Sequence, residues 1–251
     1  MTKVSSQLEY IPGLIAVVGC DGSGKSTLTA DLVEHLEKQW VVERRYLGLV
    51  SGETGDKIKR LPLIGTWLER RLAAKSSKTQ SMSTGSPALW AILIMYIFSL
   101  RRMAKMRKVQ RLTQTGMLII GDRYPQAEFS GFHYDGPGIG IERVSGWLKC
   151  YLAKRERQLY QKMACYRPQL IIRLDIDIET AFSRKQDHDY EELRDKIAVM
   201  TQINYNGSNI LELDSRMPYP MVLEKALDAA TSVAMSSQRR TTKNHHQPIY
   251  Q

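Results

Sequence analysis

The sequence predicts an α/β fold, a three-layer sandwich in which a five-stranded parallel sheet carries helices on both faces. Three observations predict it. Short apolar runs alternate with helical patterns along most of the 251 residues. A glycine-rich loop joins the first run to the first helical pattern. Three of the runs end on an aspartate, at the strand ends where parallel sheets of this kind hold their ligands.

The first strand is residues 14–18, LIAVV, an apolar run of the kind that is buried on both faces. Residues 19–26 follow as GCDGSGKS and match the phosphate-loop pattern G-x-x-x-x-G-K-[ST] without a mismatch. Gly19, Gly22 and Gly24 let backbone N–H groups close around phosphate oxygens, with Asp21 and Ser23 between them. Lys25 is placed to reach the β- and γ-phosphates, the Ser26 hydroxyl to hold magnesium, and Thr27 continues into the helix. Leu28, Leu32, Val33 and Leu36 recur at helical spacing behind the loop. Strand, loop and helix in this order imply the P-loop NTPase version of the sandwich, with ATP and Mg2+ as ligands.

Residues 41–47 read as the second strand. The stretch 51–86 is richer in Ser, Gly, Lys and Thr; 56–74 has helical spacing interrupted at Pro62 and Gly65, and 75–86 reads as a mobile loop. A long helix follows Pro87 and ends before Gly116. Its first part, LWAILIMYIFSL at 89–100, is about a dozen residues against the ~20 that span a bilayer, which makes it a buried core helix. Arg101, Arg102, Lys105, Arg107, Lys108 and Arg111 beside it favour a second reading, a helix lying on a membrane surface. Residues 117–121, 170–174 and 210–213 are the remaining strands, ending on Asp122, Asp175 and Asp214. Helical patterns lie at 140–164, 178–187, 190–205 and 219–235. Residues 1–10 and 236–251 lack apolar periodicity and read as flexible tails, leaving one domain at 11–235.

Composition narrows the function classes. Hydrophobic content is 43% and charged content 25%, ordinary for a globular chain. Three cysteines make no disulfide framework and 1–10 has no signal-peptide core, so a cytoplasmic location is expected. The net charge of +10 suits an acidic small molecule, since a site holding polyphosphates needs a positive field. Zinc-ligand spacing and a basic stripe interleaved with aromatics are both missing, so nucleic acid is not the expected partner.

A second constellation is Gly121-Asp122-Arg123-Tyr124, a strand end that offers a carboxylate for magnesium or its waters and a guanidinium for an anion. In chain order the candidates are Asp21, Arg101, Asp122-Arg123-Tyr124, the turn HYDGPGIG at 133–140, RPQL at 167–170, LDID at 174–177, and Arg184. This order resembles the thymidylate kinase family of P-loop nucleoside monophosphate kinases, over about residues 11–235. The resemblance implies transfer of the γ-phosphate of ATP to a dTMP-like nucleoside monophosphate. It implies that Asp21 holds the acceptor sugar hydroxyl, that Arg101 and Arg123 clamp the acceptor phosphate, and that Asp122 lies by magnesium. It places Tyr134 and Asp135 where the family reads the base, and Arg184 with Lys185 at the lid over the ATP phosphates. It also implies a homodimer paired through long helices, with 87–112 as the candidate surface.

Three departures bear on the acceptor. Ser51-Gly52-Glu53-Thr54-Gly55 stands where the family has Arg-Glu-Pro-Gly-Gly. Asp189 is followed by Tyr190 instead of an arginine, and Tyr134-Asp135 replaces Tyr-Gln. They support an alternative: a related kinase whose acceptor is a sugar, lipid head group or other metabolite, or an ATP-binding switch with low turnover.

Overall fold

The computed structural model describes residues 8–49, 87–186 and 188–244. The expectations for 51–55, 56–74 and 75–86 lie outside the described residues. Five strands form one parallel sheet: β1 (Glu9–Gly19), β2 (Val42–Tyr46), β3 (Leu118–Asp122), β4 (Tyr166–Asp175) and β5 (Ile210–Asp214). The order across the sheet is β2-β3-β1-β4-β5. β1 is therefore central, and the chain leaves it to opposite sides, which opens a crevice at its carboxyl end.

Among the described residues six α-helices flank the sheet: α1 (Lys25–Leu36), α2 (Leu89–Gln114), α3 (Trp147–Cys165), α4 (Ile178–Arg184), α5 (Tyr190–Met200) and α6 (Tyr219–Asn244). Successive β1 side chains point to opposite layers. Leu14, Ala16 and Val18 pack with Met103 and Met106 of α2 and Tyr160 and Met163 of α3. Ile15 and Val17 pack with Leu28, Leu32 and Leu36 of α1 and Val222, Ala226 and Ala230 of α6. The three-layer sandwich is this alternation made physical.

Element ends differ from the sequence expectation for local reasons. The helix expected from 140 begins at Trp147, because Gly140 and Gly146 take positive φ (62° and 91°) and hold an irregular turn ahead of it. The helix expected to reach 205 ends at Met200; Tyr205 and Asn206 lie in the left-handed region (φ 47° and 53°). At the C-terminus α6 runs to Asn244, beyond the expected boundary at 235. Gln169 anchors the first residues past that boundary: it donates to Ser236 (2.6 Å) while its carbonyl accepts from Ser237 (2.9 Å) and from the Gly13 amide (2.8 Å). The apolar run at 89–100 is a core helix on one side only, since Ala91, Ile92 and Met95 are buried and Leu93 and Ile97 exposed. Among the described residues no helix is long and apolar enough to cross a membrane.

The start of the glycine loop allows one stability prediction. A Cβ on Gly19 would lie 2.7 Å from the Leu174 carbonyl oxygen, with φ at +152°, whereas one on Gly24 (φ +88°) would meet nothing within 4 Å. Gly19→Ala is expected to cost about 1–3 kcal/mol from overpacking on top of backbone strain, and Gly24→Ala the strain alone. Urea midpoints of the two variants check the order.

Candidate active site

The loop after β1 is built to present backbone donors. Positive φ at Gly22 (84°) and Gly24 (88°) turns the chain back on itself ahead of α1. The first bond that closes α1 runs from the Leu28 N–H to the Gly24 carbonyl (3.0 Å), so Lys25, Ser26 and Thr27 carry amides with no helical acceptor. Gly24 is the N-cap and supplies no side-chain cap, leaving the positive end of the helix dipole open. The Ser23 hydroxyl is buried without a hydrogen-bond partner among the described residues. An orphaned donor beside open amides fits a phosphate. The Ser26 and Thr27 side chains are exposed at the same turn.

Lys25 is only 6% exposed and donates to the Cys20 carbonyl across the loop. Burial, reinforced by Arg123 and Lys196, lowers its pKa from 10.5 to about 8. Asp21 is the hub of the loop. Its carboxylate takes Arg123 at 3.0 Å and Lys196 of α5 at 2.6 Å, with Lys25 at 3.9 Å. Burial alone would raise the Asp21 carboxyl, but Lys196, Lys25 and Arg123 together hold it well below the usual carboxylate range.

The adjoining strand places the next groups. Val17 and Asp122 are register partners, so the end of β3 faces the start of the loop. The Arg123 N–H extends the sheet to the Val17 carbonyl (3.0 Å), and φ of 71° marks it as a strained non-glycine position. Such strain costs on the order of 1–3 kcal/mol and persists where contacts over-determine it. Here the contacts are Asp21 and, at 3.6 Å, Asp135. Burial would lower the Arg123 pKa, and Asp135 and Asp21 raise it above the ordinary value. Asp135 in turn holds the fully buried Arg102, which donates to its carboxylate at 2.9 Å and to its carbonyl at 3.1 Å and approaches the Tyr160 hydroxyl at 3.5 Å. Buried Glu156 of α3 steadies the same turn, accepting from Ser99 (2.7 Å) and from the Ile139 amide (2.8 Å). Asp122, also buried, takes Arg44 of β2 at 2.6 Å.

Charge therefore alternates from α5 to the α2 layer: Lys196, Asp21, Arg123, Asp135, Arg102. With Lys25 the cluster has four cations against two carboxylates, an excess of two positive charges. A cleft of that sign is matched to a polyanion.

The structure brings together most residues singled out from sequence. Gly19, Asp21, Gly22, Ser23, Gly24, Lys25, Ser26 and Thr27 form the loop; Arg123 reaches it through Asp21 and links it to Asp135, and Asp122 stands at the adjoining strand end opposite Val17. Arg184 braces the loop from behind, donating to the Gly22 carbonyl and to the Ser215 carbonyl, both at 3.2 Å. Arg101 is exposed over the Phe98 ring (6.0 Å), whereas its neighbour Arg102 is the arginine that turns inward onto Asp135. Neighbours on a helix point about 100° apart, and Ser99, Arg102, Met103 and Met106 are the buried face. Tyr134 is half-buried against His133 (ring centroids 4.3 Å), in the field of Asp195 and Glu192 of α5 and of Arg143. Asp175 is exposed, Asp214 pairs with Arg216 (2.7 Å), and Asp189 caps α5 through the Glu192 amide (2.9 Å).

Arg44, Arg102 and Lys196 are the site residues that sequence reasoning missed. Lys196 carried a usable signal: it shares the buried face of α5 with Leu193 and Met200, a position where a lysine needs a partner. Among the described residues no group of three or more His, Cys, Asp or Glu could hold a metal ion by itself. The Ser26 hydroxyl, exposed on the loop, and the Asp122 carboxylate, which here takes Arg44, are the oxygen ligands that could hold a magnesium ion.

No protein-family model matches the chain. It is 25% identical over 236 residues to the "Thymidylate kinase" of Chlamydia felis (strain Fe/C-56), covering 88% of this chain and 98% of that one. It is 46% identical over 217 residues to the "Uncharacterized ATP-binding protein YghS" of Escherichia coli (strain K12), covering 86% and 91%. With the "Uncharacterized ATP-binding protein YghR" of the same strain the identity is 71% over 240 residues, 96% of this chain and 95% of the relative. At that identity and coverage the chain belongs to the YghR and YghS family.

Proposed function

We propose that the protein is an ATP-dependent phosphotransferase that moves the γ-phosphate of ATP to a nucleotide-like acceptor, a nucleoside monophosphate of the dTMP type in the finer reading. The observation that carries this is the 3.0 Å pair between Asp21 in the phosphate loop and Arg123 at the end of β3. In this reading it sets the phosphate loop, which would hold the donor, beside the arginine that would hold the acceptor phosphate. The loop amides, Ser23 and Lys25 are the groups that would hold the triphosphate, and Ser26 with Asp122 would hold magnesium. When bound, ATP supplies the phosphoryl group and magnesium neutralises its charge. Arg123 and Arg102, fixed by Asp135, supply preorganised positive charge on the acceptor side. An acceptor phosphate is already ionised, so no strong general base is required of this chain. The likeness to thymidylate kinases supports the reading, as does the ATP-binding description of the YghR and YghS relatives. Saturation of Asp135 by two arginines favours an anionic acceptor over one that brings its own cation. The free thiols of Cys20, Cys150 and Cys165 suit a cytoplasmic location, which belongs to the same proposal.

The test is incubation with magnesium-ATP and a panel of nucleoside monophosphates, then sugars, with ADP and phosphorylated product resolved by chromatography. Phosphorylated dTMP supports the finer reading, and another phosphorylated nucleotide the coarser one. Transfer to non-nucleotides only, or ATP binding with no transfer, overturns it.

Lys25 also couples the loop to pH. Its folded pKa of about 8 lies below the unfolded 10.5, so the unfolded chain binds more protons between those values and stability rises with pH across that window. Polyphosphate beside Lys25 favours the charged form and draws the pKa back up. Binding of ATP at pH 9 is therefore expected to take up as much as about one proton. Calorimetry in buffers of different ionisation enthalpy measures it; proton release would contradict the assignment of Lys25.

A further inference from the structure

The outer surface of the α2–α3 layer is not used by the site described above, and its chemistry is unusual. At about 100° per residue, the exposed side chains of α2 fall within a sector of roughly 120°. In the first half of the helix that sector is apolar: Leu89, Trp90, Leu93, Ile97 and Leu100. In the second half it is cationic: Arg101, Arg107, Lys108 and Arg111. α3 lies alongside in the same direction, as the pairs Lys149 with Pro87 (2.7 Å), Ser99 with Glu156 (2.7 Å) and Arg102 with Tyr160 (3.5 Å) show. It repeats the pattern. Trp147 (81% exposed) and Tyr151 (53%) stand at its apolar start, and Lys154, Arg155 and Lys162 follow. α2 contains no acidic residue, and the one acid of α3, Glu156, is buried. A recess of about 470 Å³ lies in the cationic half, lined by Ala104, Arg107, Lys108, Arg111 and Leu112.

We propose that this face docks on an anionic lipid bilayer, its apolar end entering the interface and its cationic recess receiving lipid phosphates. Exposed Trp, Leu and Ile at one end, Lys and Arg at the other and no exposed acid on either helix is the make-up of a surface that binds at the headgroup boundary. Trp147 and Tyr151 suit that depth, where one side of a ring is apolar and the other wet. The other occupants use half of the face. Nucleic acid would engage the cations and leave the leucines and tryptophans in water. A second copy would cover the apolar end and leave the cationic end facing solvent or its own like charges. A bilayer engages both in one plane, and the proposal stands apart from the assignment of the catalytic site.

Co-sedimentation of the full chain with vesicles tests it, comparing pure phosphatidylcholine with phosphatidylcholine containing about 30% phosphatidylglycerol. The expected result is pelleting with the anionic vesicles alone, reversed by salt near ~0.5 M. Leu93→Asp/Ile97→Asp and Arg107→Glu/Lys108→Glu are each expected to weaken partitioning by about tenfold or more. All four side chains are exposed, and circular dichroism verifies that the variants fold; Leu93→Ser and Arg107→Gln serve where they do not. Absence of pelleting, equal pelleting with neutral vesicles, or full binding by the charge-reversed variant overturns the proposal. So does a dimer split by Leu93→Asp/Ile97→Asp without lipid binding, which assigns the face to a second copy. Retention of RNA without vesicle binding assigns it to nucleic acid and overturns the proposal equally.

Discussion

Lys25→Met is expected to lower phosphoryl transfer by about a thousandfold while leaving the melting temperature unchanged or higher. The two halves of this expectation come from the same geometry. Lys25 is 6% exposed, and its ammonium rests on the Cys20 carbonyl beside the open amides of the loop. A cation at that point is the group that would follow negative charge on the moving phosphoryl, and removal of one such preorganised group costs about 10²–10³ in rate or more. Without ligand the same ammonium is a burden. Burial and the neighbouring Arg123 and Lys196 depress its pKa to about 8, so below that pH the folded state carries a charge it disfavours. Methionine removes the charge and keeps the chain length. The Cys20 carbonyl keeps the Ser23 amide as donor at 3.3 Å, so little is left unsatisfied. A coupled assay of ADP release and a thermal melt measure the two halves. A folded Lys25→Met protein with full turnover would falsify the site.

The parts of this molecule legible in sequence are those fixed by local pattern. Four apolar runs, the mixed run at 41–47 and the glycine loop are read within a dozen residues each, and they give the strands, α1 and the order of layers along the chain. The loop amides are legible for the same reason, because a phosphate site made of backbone needs glycine at set spacings. What was not legible depends on contacts across the chain. The helix at 89–114 shows an apolar half and a basic half, and the arginine that points inward is decided by Asp135 and Tyr160, 33 and 58 residues away. Lys196 is 175 residues from Asp21 and reaches it only because α5 folds over the loop. The first residues of α6 past 235 are anchored by Gln169, 67 residues upstream of Ser236. Side-chain direction on a helix turns through about 100° with each residue, so the one-residue step from Arg101 to Arg102 exchanges solvent for core, a difference the resemblance alone does not resolve.

Asp135→Asn is expected to destabilise the protein by about 3 kcal/mol, the low end of the cost of breaking a buried ion pair. The substitution isolates charge. Asp135 has φ of 60°, a left-handed conformation that asparagine also adopts readily, so the backbone is not strained by the change. The shape of the side chain is preserved as well. What is lost is the counter-charge to Arg102, which is fully buried and holds its high pKa because Asp135 outweighs the cost of its burial together with the Tyr160 hydroxyl. Arg102 keeps the Asp135 carbonyl at 3.1 Å, and Arg123 keeps Asp21, which is why the low end applies. For a chain of this size the loss corresponds to a fall in melting temperature of roughly 6–12 °C. Arg102→Met in the Asp135→Asn background removes the stranded cation, and stability should partly return, giving a coupling energy above the additive sum. Activity should not return with it, since Arg123 then lacks the carboxylate that fixes it on the acceptor side. An Asp135→Asn protein as stable as the parent would show that Arg102 is neutralised elsewhere, and the alternating chain of charges from Lys196 to Arg102 would lose its last link.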